Sequence, residues 1–408
     1  MPILFGSVFV IMGSFAMLLP SILYVLGNMG ISPSFSTPIL AAYSLAQFFA
    51  GPQWGRLSDQ IGRKKILFSA MFMGSLAYLC MSLFADNVVV LFLTMIWAGA
   101  CAGTLAVIVA AVSDLTTAET RTRGMGMVGA SIGLAFVCGT AVGGSISGTT
   151  AETATIVAPA TMSFFACLLG ALAVLFFFKE SKKNQIGLQE NASLADTSDA
   201  AGDMKVPGRL DAFRKIGRHP ALLKLSFLIL GFTFCLALLE PVVPIYVKDQ
   251  FNWGPPQLRN VFMFVGFILV VVQGGLVGPL ANRFGERSLV KIGLTMMMTG
   301  LFMLAFLTSS VFLYISLLFT FVGTALFNAS SMSLASHEAE EHEKGAVLGV
   351  VQSMQSLGRS FGPLVAGLMY DVHHAVPFFI GGLLVAILLV VFVRLTRQFH
   401  TEHKDLQT

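Results

Sequence analysis

Charge is what this sequence has least of. Only 11% of its 408 residues are Asp, Glu, Lys or Arg, against about 25% in soluble domains. With 55% hydrophobic residues and a mean hydropathy of +0.80, the chain cannot cover a water-soluble globule with polar side chains. Cysteine is sparse too. Cys80, Cys101, Cys138, Cys167 and Cys235 all fall inside apolar runs, where a thiol behaves as a small hydrophobe, and no disulfide framework is implied. The seven histidines lie in loops or the tail, none of them at metal-ligand spacing backed by cysteines, so no metal site is expected. There is no Gly-x-x-x-x-Gly-Lys-Ser/Thr run, which argues against drive by ATP. Neither catalytic residues, a cofactor nor a nucleic-acid partner is expected. A basic stretch ahead of the first apolar run is also missing, so that run is expected to stay as a span.

What fills the chain instead is long apolar runs. Twelve approach the ~20 residues that cross a bilayer as a helix: 3–27, 36–54, 66–85, 88–112, 124–147, 155–178, 222–247, 258–281, 289–307, 311–336, 345–369 and 375–393. The expected fold class is an all-α polytopic membrane protein in two six-helix halves, and its first partner is the lipid bilayer. Of the 25 Lys and Arg, all but Lys248, Arg259 and Arg359 fall in the even-numbered connections, their flanks or the tail. By the positive-inside rule those connections and both termini are cytoplasmic. One composition shift interrupts the apolar pattern. The stretch 181–220 is polar, with Leu210, Phe213 and Ile216 suggesting a short surface helix. The domains expected are therefore residues 1–180, a cytoplasmic linker 181–220, residues 221–395 and a cytoplasmic tail 396–408.

Between the second and third spans stands Gly55-Arg-Leu-Ser-Asp59-Gln-Ile-Gly62-Arg63-Lys64-Lys65. It reads as a short charged hinge whose two glycines let the chain leave one helix and enter the next tightly. An echo follows at Gly278-Pro-Leu-Ala-Asn282-Arg-Phe-Gly285-Glu-Arg, an offset of 223 residues, with Asn282 where Asp59 stands. Gly139-Thr140-Ala-Val-Gly143-Gly144 in the fifth span and Gly362-Pro363-Leu-Val-Ala-Gly367 in the eleventh repeat at the same offset. A shared register indicates a duplicated six-span unit.

The first of these motifs resembles the loop signature of the major facilitator superfamily, Gly-x-Leu-x-Asp-x-x-Gly-Arg-Lys-x, with every defining position filled. The resemblance covers the whole chain and is greatest to the twelve-span drug and proton antiporters that include tetracycline exporters. It implies alternating access about a site near the bilayer midplane. The gating residues expected on this basis are Gly55, Asp59, Gly62, Arg63 and Lys64, with Asp59 paired to Arg121 or Arg123 at the start of the fifth span. Two family features are missing. Met95 stands where antiporters of this group carry an arginine, and Thr140 replaces the proline of their fifth-span Gly-Pro motif. The first span also holds no acidic residue between Ile11 and Ile22.

Two ionisable residues lie well inside spans, Glu240 in the seventh and Arg359 in the eleventh. A charge at bilayer depth costs several kcal/mol unless paired or wet, which makes both candidates for proton coupling. Pro241 and Pro244 are expected to break the helix beside Glu240. An alternative places Glu240 near the outer interface, because Lys248 and Asp249 follow. Arg359 has three readings: pairing with Glu240, holding an anionic group, or fixing the eleventh span. The other polar residues inside spans, Tyr24, Tyr43, Gln47, Gln273, Asn328, Gln352 and Gln355, are candidate cavity residues among many phenylalanines and methionines. Such a lining suits a lipophilic small-molecule substrate. Gly139, Gly143, Gly144, Gly362 and Pro363 are expected to set close helix crossings and a bend. The reading is a monomeric secondary transporter exchanging protons for a lipophilic or amphipathic molecule. The alternatives are a uniporter or symporter of a metabolite or organic anion, and a non-transporting membrane receptor or assembly factor.

Overall fold

A computed structural model describes residues 1–116, 118–178, 220–337 and 344–405. Among these residues there is no strand. The described residues form fourteen α-helices in order: α1 (Pro2–Asn28), α2 (Pro33–Ile61), α3 (Arg63–Leu83), α4 (Val88–Ala102), α5 (Leu105–Asp114), α6 (Ala118–Ile146), α7 (Val157–Phe177), α8 (Pro220–Phe251), α9 (Pro255–Val271), α10 (Val277–Phe284), α11 (Glu286–Ala305), α12 (Ser310–His337), α13 (Lys344–Val372) and α14 (Val376–Asp405). They make twelve spans, because α4 and α5 share the fourth while α9, a π-turn at Val272–Leu276 and α10 share the eighth. Ten of the twelve are long and apolar enough to cross a membrane by length and composition among the described residues. The second and eleventh, α2 and α13, are as long but carry more glycine, serine and glutamine.

Helices suit this composition because in hydrocarbon every backbone N–H and C=O must be satisfied within the segment. Their ends follow local chemistry. Pro2 and Pro33 open α1 and α2, where a missing N–H costs nothing. The Asn87 side chain accepts from the N–H groups of Val89 and Val90 at 3.0 and 3.2 Å and caps α4. The seventh span corrects one expectation. Pro241 and Pro244 do not end it, and α8 continues through both to Phe251.

Packing separates the described residues into two compact units. The first runs from Met1 and also takes in Val247–Gly266, while the second holds α8 up to Tyr246 and the chain from Phe267 onward. In the first unit α1 packs on α6 and α7, α3 on α7, and α2 on α4. In the second, α11 packs on α12 and α14. The residues expected to form the linker lie outside the described ones, apart from Pro220, which opens α8.

Candidate functional site

The Gly55 motif is mostly helix, which corrects the expected hinge loop. Residues Gly55 to Ile61 complete α2, and a Cβ built on Gly55 would meet nothing within 4 Å. The break is Gly62 alone, at φ 102° and ψ 144°, a backbone that side chains rarely adopt. Its counterpart Gly285 has the same form, φ 77° and ψ 150°, between α10 and α11. Immediately after Gly62, Arg63 is buried with only 7% of its surface exposed. Its Nη2 lies 3.3 Å from exposed Asp59, one turn back, and its Nε lies 2.8 Å from Asp114 at the end of α5. A planar guanidinium can hold two carboxylates at once, so Arg63 ties α2, α3 and α5 together. The expected partners of Asp59, Arg121 and Arg123, have side chains outside the described residues, and Lys64 is half-buried. Asp114 carried no signal in the sequence beyond ending an apolar run.

The second half keeps the backbone of this device and changes its charges. At the 223-residue offset, Glu286 occupies the place of Arg63. Its carboxylate accepts a hydrogen bond from the Ser333 hydroxyl on α12. A span-to-span tie thus persists, with an anion and a hydroxyl in place of a cation and a carboxylate.

Close crossings are made where the glycines stand. In the first unit, a Cβ on Gly139 would lie 2.6 Å from the Gly13 carbonyl, and one on Gly143 would overlap the Met17 carbonyl. The fifth and first spans therefore touch backbone to backbone. A Cβ on Gly144 would overlap the Arg259 stem, and the Arg259 Nη1 donates to Ser145 Oγ at 2.8 Å. Thr140, in place of the family proline, donates to the Phe136 carbonyl of its own helix at 2.7 Å. In the second unit, a Cβ on Gly358 would lie 2.7 Å from the Leu230 carbonyl, and one on Gly362 would lie 2.5 Å from the Ala237 Cβ. The eleventh span thus runs parallel to the seventh at contact distance. Pro363 lies within α13, which continues to Val372.

That crossing positions the two intramembrane charges. Arg359 follows Gly358 and Glu240 follows Ala237 by three residues, and both side chains are accessible although their neighbours are buried. Glu240 lies eleven residues before the end of α8, ~16 Å at a rise of 1.5 Å per residue, which puts it inside the span and not at its end. Among the described residues the two form no ion pair within 4.0 Å.

The polar residues expected to line a cavity divide between the units. In the first, the Tyr24 and Tyr43 hydroxyls are buried without a hydrogen-bond partner among the described residues. Tyr43 stacks on Phe15 at 4.0 Å, and Lys248 stands 6.0 Å over the Tyr24 ring. Gln47 is not free, because its amide donates to the Ala102 carbonyl at 3.4 Å. In the second unit, Asn328 and Gln355 are half-buried and Gln273 is exposed on the π-turn. The Gln352 side chain lies outside the described residues.

Comparison with known proteins agrees with this architecture. The family described as Major Facilitator Superfamily matches residues 4–363 and, in an overlapping match, 274–407. Multidrug resistance protein 2 of Bacillus subtilis (strain 168) is 27% identical over 385 residues, covering 93% of this chain and 91% of the relative. Tetracycline resistance protein, class B, of Escherichia coli is 24% identical over 350 residues, covering 84% and 80%. Among solved structures, the human organic anion transporter MFSD10 (TETRAN) superposes with a TM-score of 0.69 at 19% identity, over 96% of this chain and 98% of that one.

Proposed function

The chain belongs to the major facilitator superfamily, and from that premise we propose that it exports a lipophilic or amphipathic small molecule in exchange for protons. Relatives named for multidrug and tetracycline resistance that cover most of the chain support this reading. The observation that carries it is the pair Glu240 and Arg359, accessible, deep in parallel spans and not closed into an ion pair. A carboxylate in that setting can take up a proton or a cationic substrate and release it when the other arrives. Competition of this kind couples the two fluxes, each ligand weakening the other by the same factor. The two six-span repeats, residues 1–180 and 221–395, are proposed as the moving halves, with 181–220 as the linker between them. Their basic connections support a cytoplasmic side for both termini, and short outer connections suit a bacterial inner membrane. A monomer is sufficient for this mechanism.

In the same scheme the Asp59–Arg63–Asp114 cluster acts as a cytoplasmic latch. A second reading, transport of an organic anion without protons, is favoured by the accessible Arg359 alone. Purified protein in proteoliposomes decides between the two. Dye movement that follows an imposed pH gradient supports exchange, whereas movement indifferent to the gradient supports the uniporter. No movement of dyes or anions would leave a non-transporting role.

A further inference from the structure

The two repeats carry helix-weakening residues at the same register of corresponding spans. In the second span these are Gly51-Pro52, and 223 residues later the eighth span carries Gly274-Gly275. Glycine or proline breaks at corresponding positions of repeated transporter halves are a physical pointer to the substrate site, because irregular backbone at bilayer depth persists only where protein covers it or a cavity wets it.

The two positions are finished differently. In the first unit α2 continues as helix through Gly51-Pro52 and is tied to its neighbour. Trp54 Nε1 donates to the Ala100 carbonyl at 2.7 Å and Gln47 Nε2 to the Ala102 carbonyl at 3.4 Å, one on each side of Gly51-Pro52. A Cβ on Gly103 would lie 2.9 Å from the Gly51 nitrogen, so no space remains. At the matching positions of the eighth span stand Val270 and Val277, which have no side-chain donor. The backbone there opens into the π-turn Val272–Leu276, where the Val277 N–H bonds the Val272 carbonyl, one residue further back than in an α-helix. Single π-turns of this kind concentrate at functional sites. A Cβ on Gly274, Gly275 or Gly278 would meet nothing within 4 Å. Gln273 is exposed and has no hydrogen-bond partner among the described residues. It lies eleven residues before the end of α10, ~16 Å along the axis. A primary amide left unpaired in hydrocarbon at that depth is costly.

We propose that the π-turn of the eighth span, with Gln273, is a substrate-recognition point that accepts a hydrogen-bond donor carried by an otherwise apolar molecule. The open glycines let a flat ring approach the backbone, and the Gln273 Oε1 takes its N–H or O–H. This inference rests on the efflux reading above and adds the chemical class that the eighth span selects.

The test compares two lipophilic cations. Ethidium carries aromatic amines that donate hydrogen bonds, and tetraphenylphosphonium carries no donor. Binding of each to the purified full-length protein is measured for wild type and Gln273→Leu, with size-exclusion profiles checking that both are folded. Gln273→Leu is expected to weaken ethidium about five-fold, the loss of one neutral hydrogen bond, and to leave tetraphenylphosphonium within about two-fold. Equal binding of ethidium by the two proteins, or an equal loss for both cations, overturns the assignment. If the wild-type protein binds neither cation, the efflux reading falls and this inference with it.

Discussion

Arg63, at the first position of α3, lies 2.8 Å from Asp114 at the last position of α5. The arginine is buried, so the pair cannot be treated as a surface ion pair. Removing one partner of a buried pair leaves a desolvated charge behind, which costs about 3–5 kcal/mol.

Asp114→Asn is therefore expected to lower the thermal unfolding temperature in detergent, by a stability loss of up to about 3 kcal/mol, since Asp114 is itself partly exposed. Arg63→Lys should not rescue function, because an ammonium cannot span Asp59 and Asp114 in the geometry of Nε and Nη2. An Arg63→Lys protein with wild-type transport and stability would show that two-point contact is unnecessary.

Asp59 is exposed, and its contact with Arg63 at 3.3 Å is worth less than about 1 kcal/mol in water. Asp59→Asn is thus expected to leave unfolding nearly unchanged while cutting transport sharply. Comparing the melting curve with vesicle transport for the same preparation separates the two effects. Intact transport would remove Asp59 from the latch.

The motif glycines should respond in opposite ways. Gly55→Ala places a better helix former in an open position of α2, for a gain of about 0.5–1 kcal/mol. Gly62→Ala forces a side chain onto φ 102°, at a cost of about 1–3 kcal/mol. Denaturation of the two variants side by side checks this, and equal effects would contradict the helical assignment of Gly55.

The close crossing of the seventh and eleventh spans predicts a steric outcome. Gly362→Leu has to place its side chain where Ala237 stands 2.5 Å from the built Cβ, and overpacking of this kind costs about 1–3 kcal/mol or more. Expression and monodispersity are expected to fall. Gly274→Leu, in open space at the π-turn, should express normally.

Glu240→Gln is expected to abolish pH-driven dye export and to spare exchange of dye down its own gradient. Reconstituted protein assayed with and without a pH gradient measures both. Full pH-driven export by the variant would exclude Glu240 as the proton carrier.

Much of this was legible in the residues. The apolar runs mark the spans, and the 223-residue echo anticipates that Gly62 and Gly285 share a positive φ. Chain-local signals failed where packing decides. Nothing local separates Gly55, inside a helix, from Gly62, which ends it. Pro241 and Pro244 read as breakers, yet a helix packed against neighbours tolerates them. Asp114 finds Arg63 only through the tertiary fold, and a π-turn has no sequence signature that distinguishes Gln273-Gly274-Gly275 from a plain helix with two glycines.

The segment Val247–Gly266 belongs to the first unit, and this bears on how the protein is made. Gly144 and Ser145 are covered by Pro255 and Arg259, and Gly254 packs on the loop at Thr150. A ribosome that has delivered only the first six spans has not yet supplied these contacts. Folding of the first unit during synthesis therefore reaches completion only after the seventh span and the start of the eighth have been delivered, and until then Gly144 and Ser145 on the fifth span stand uncovered.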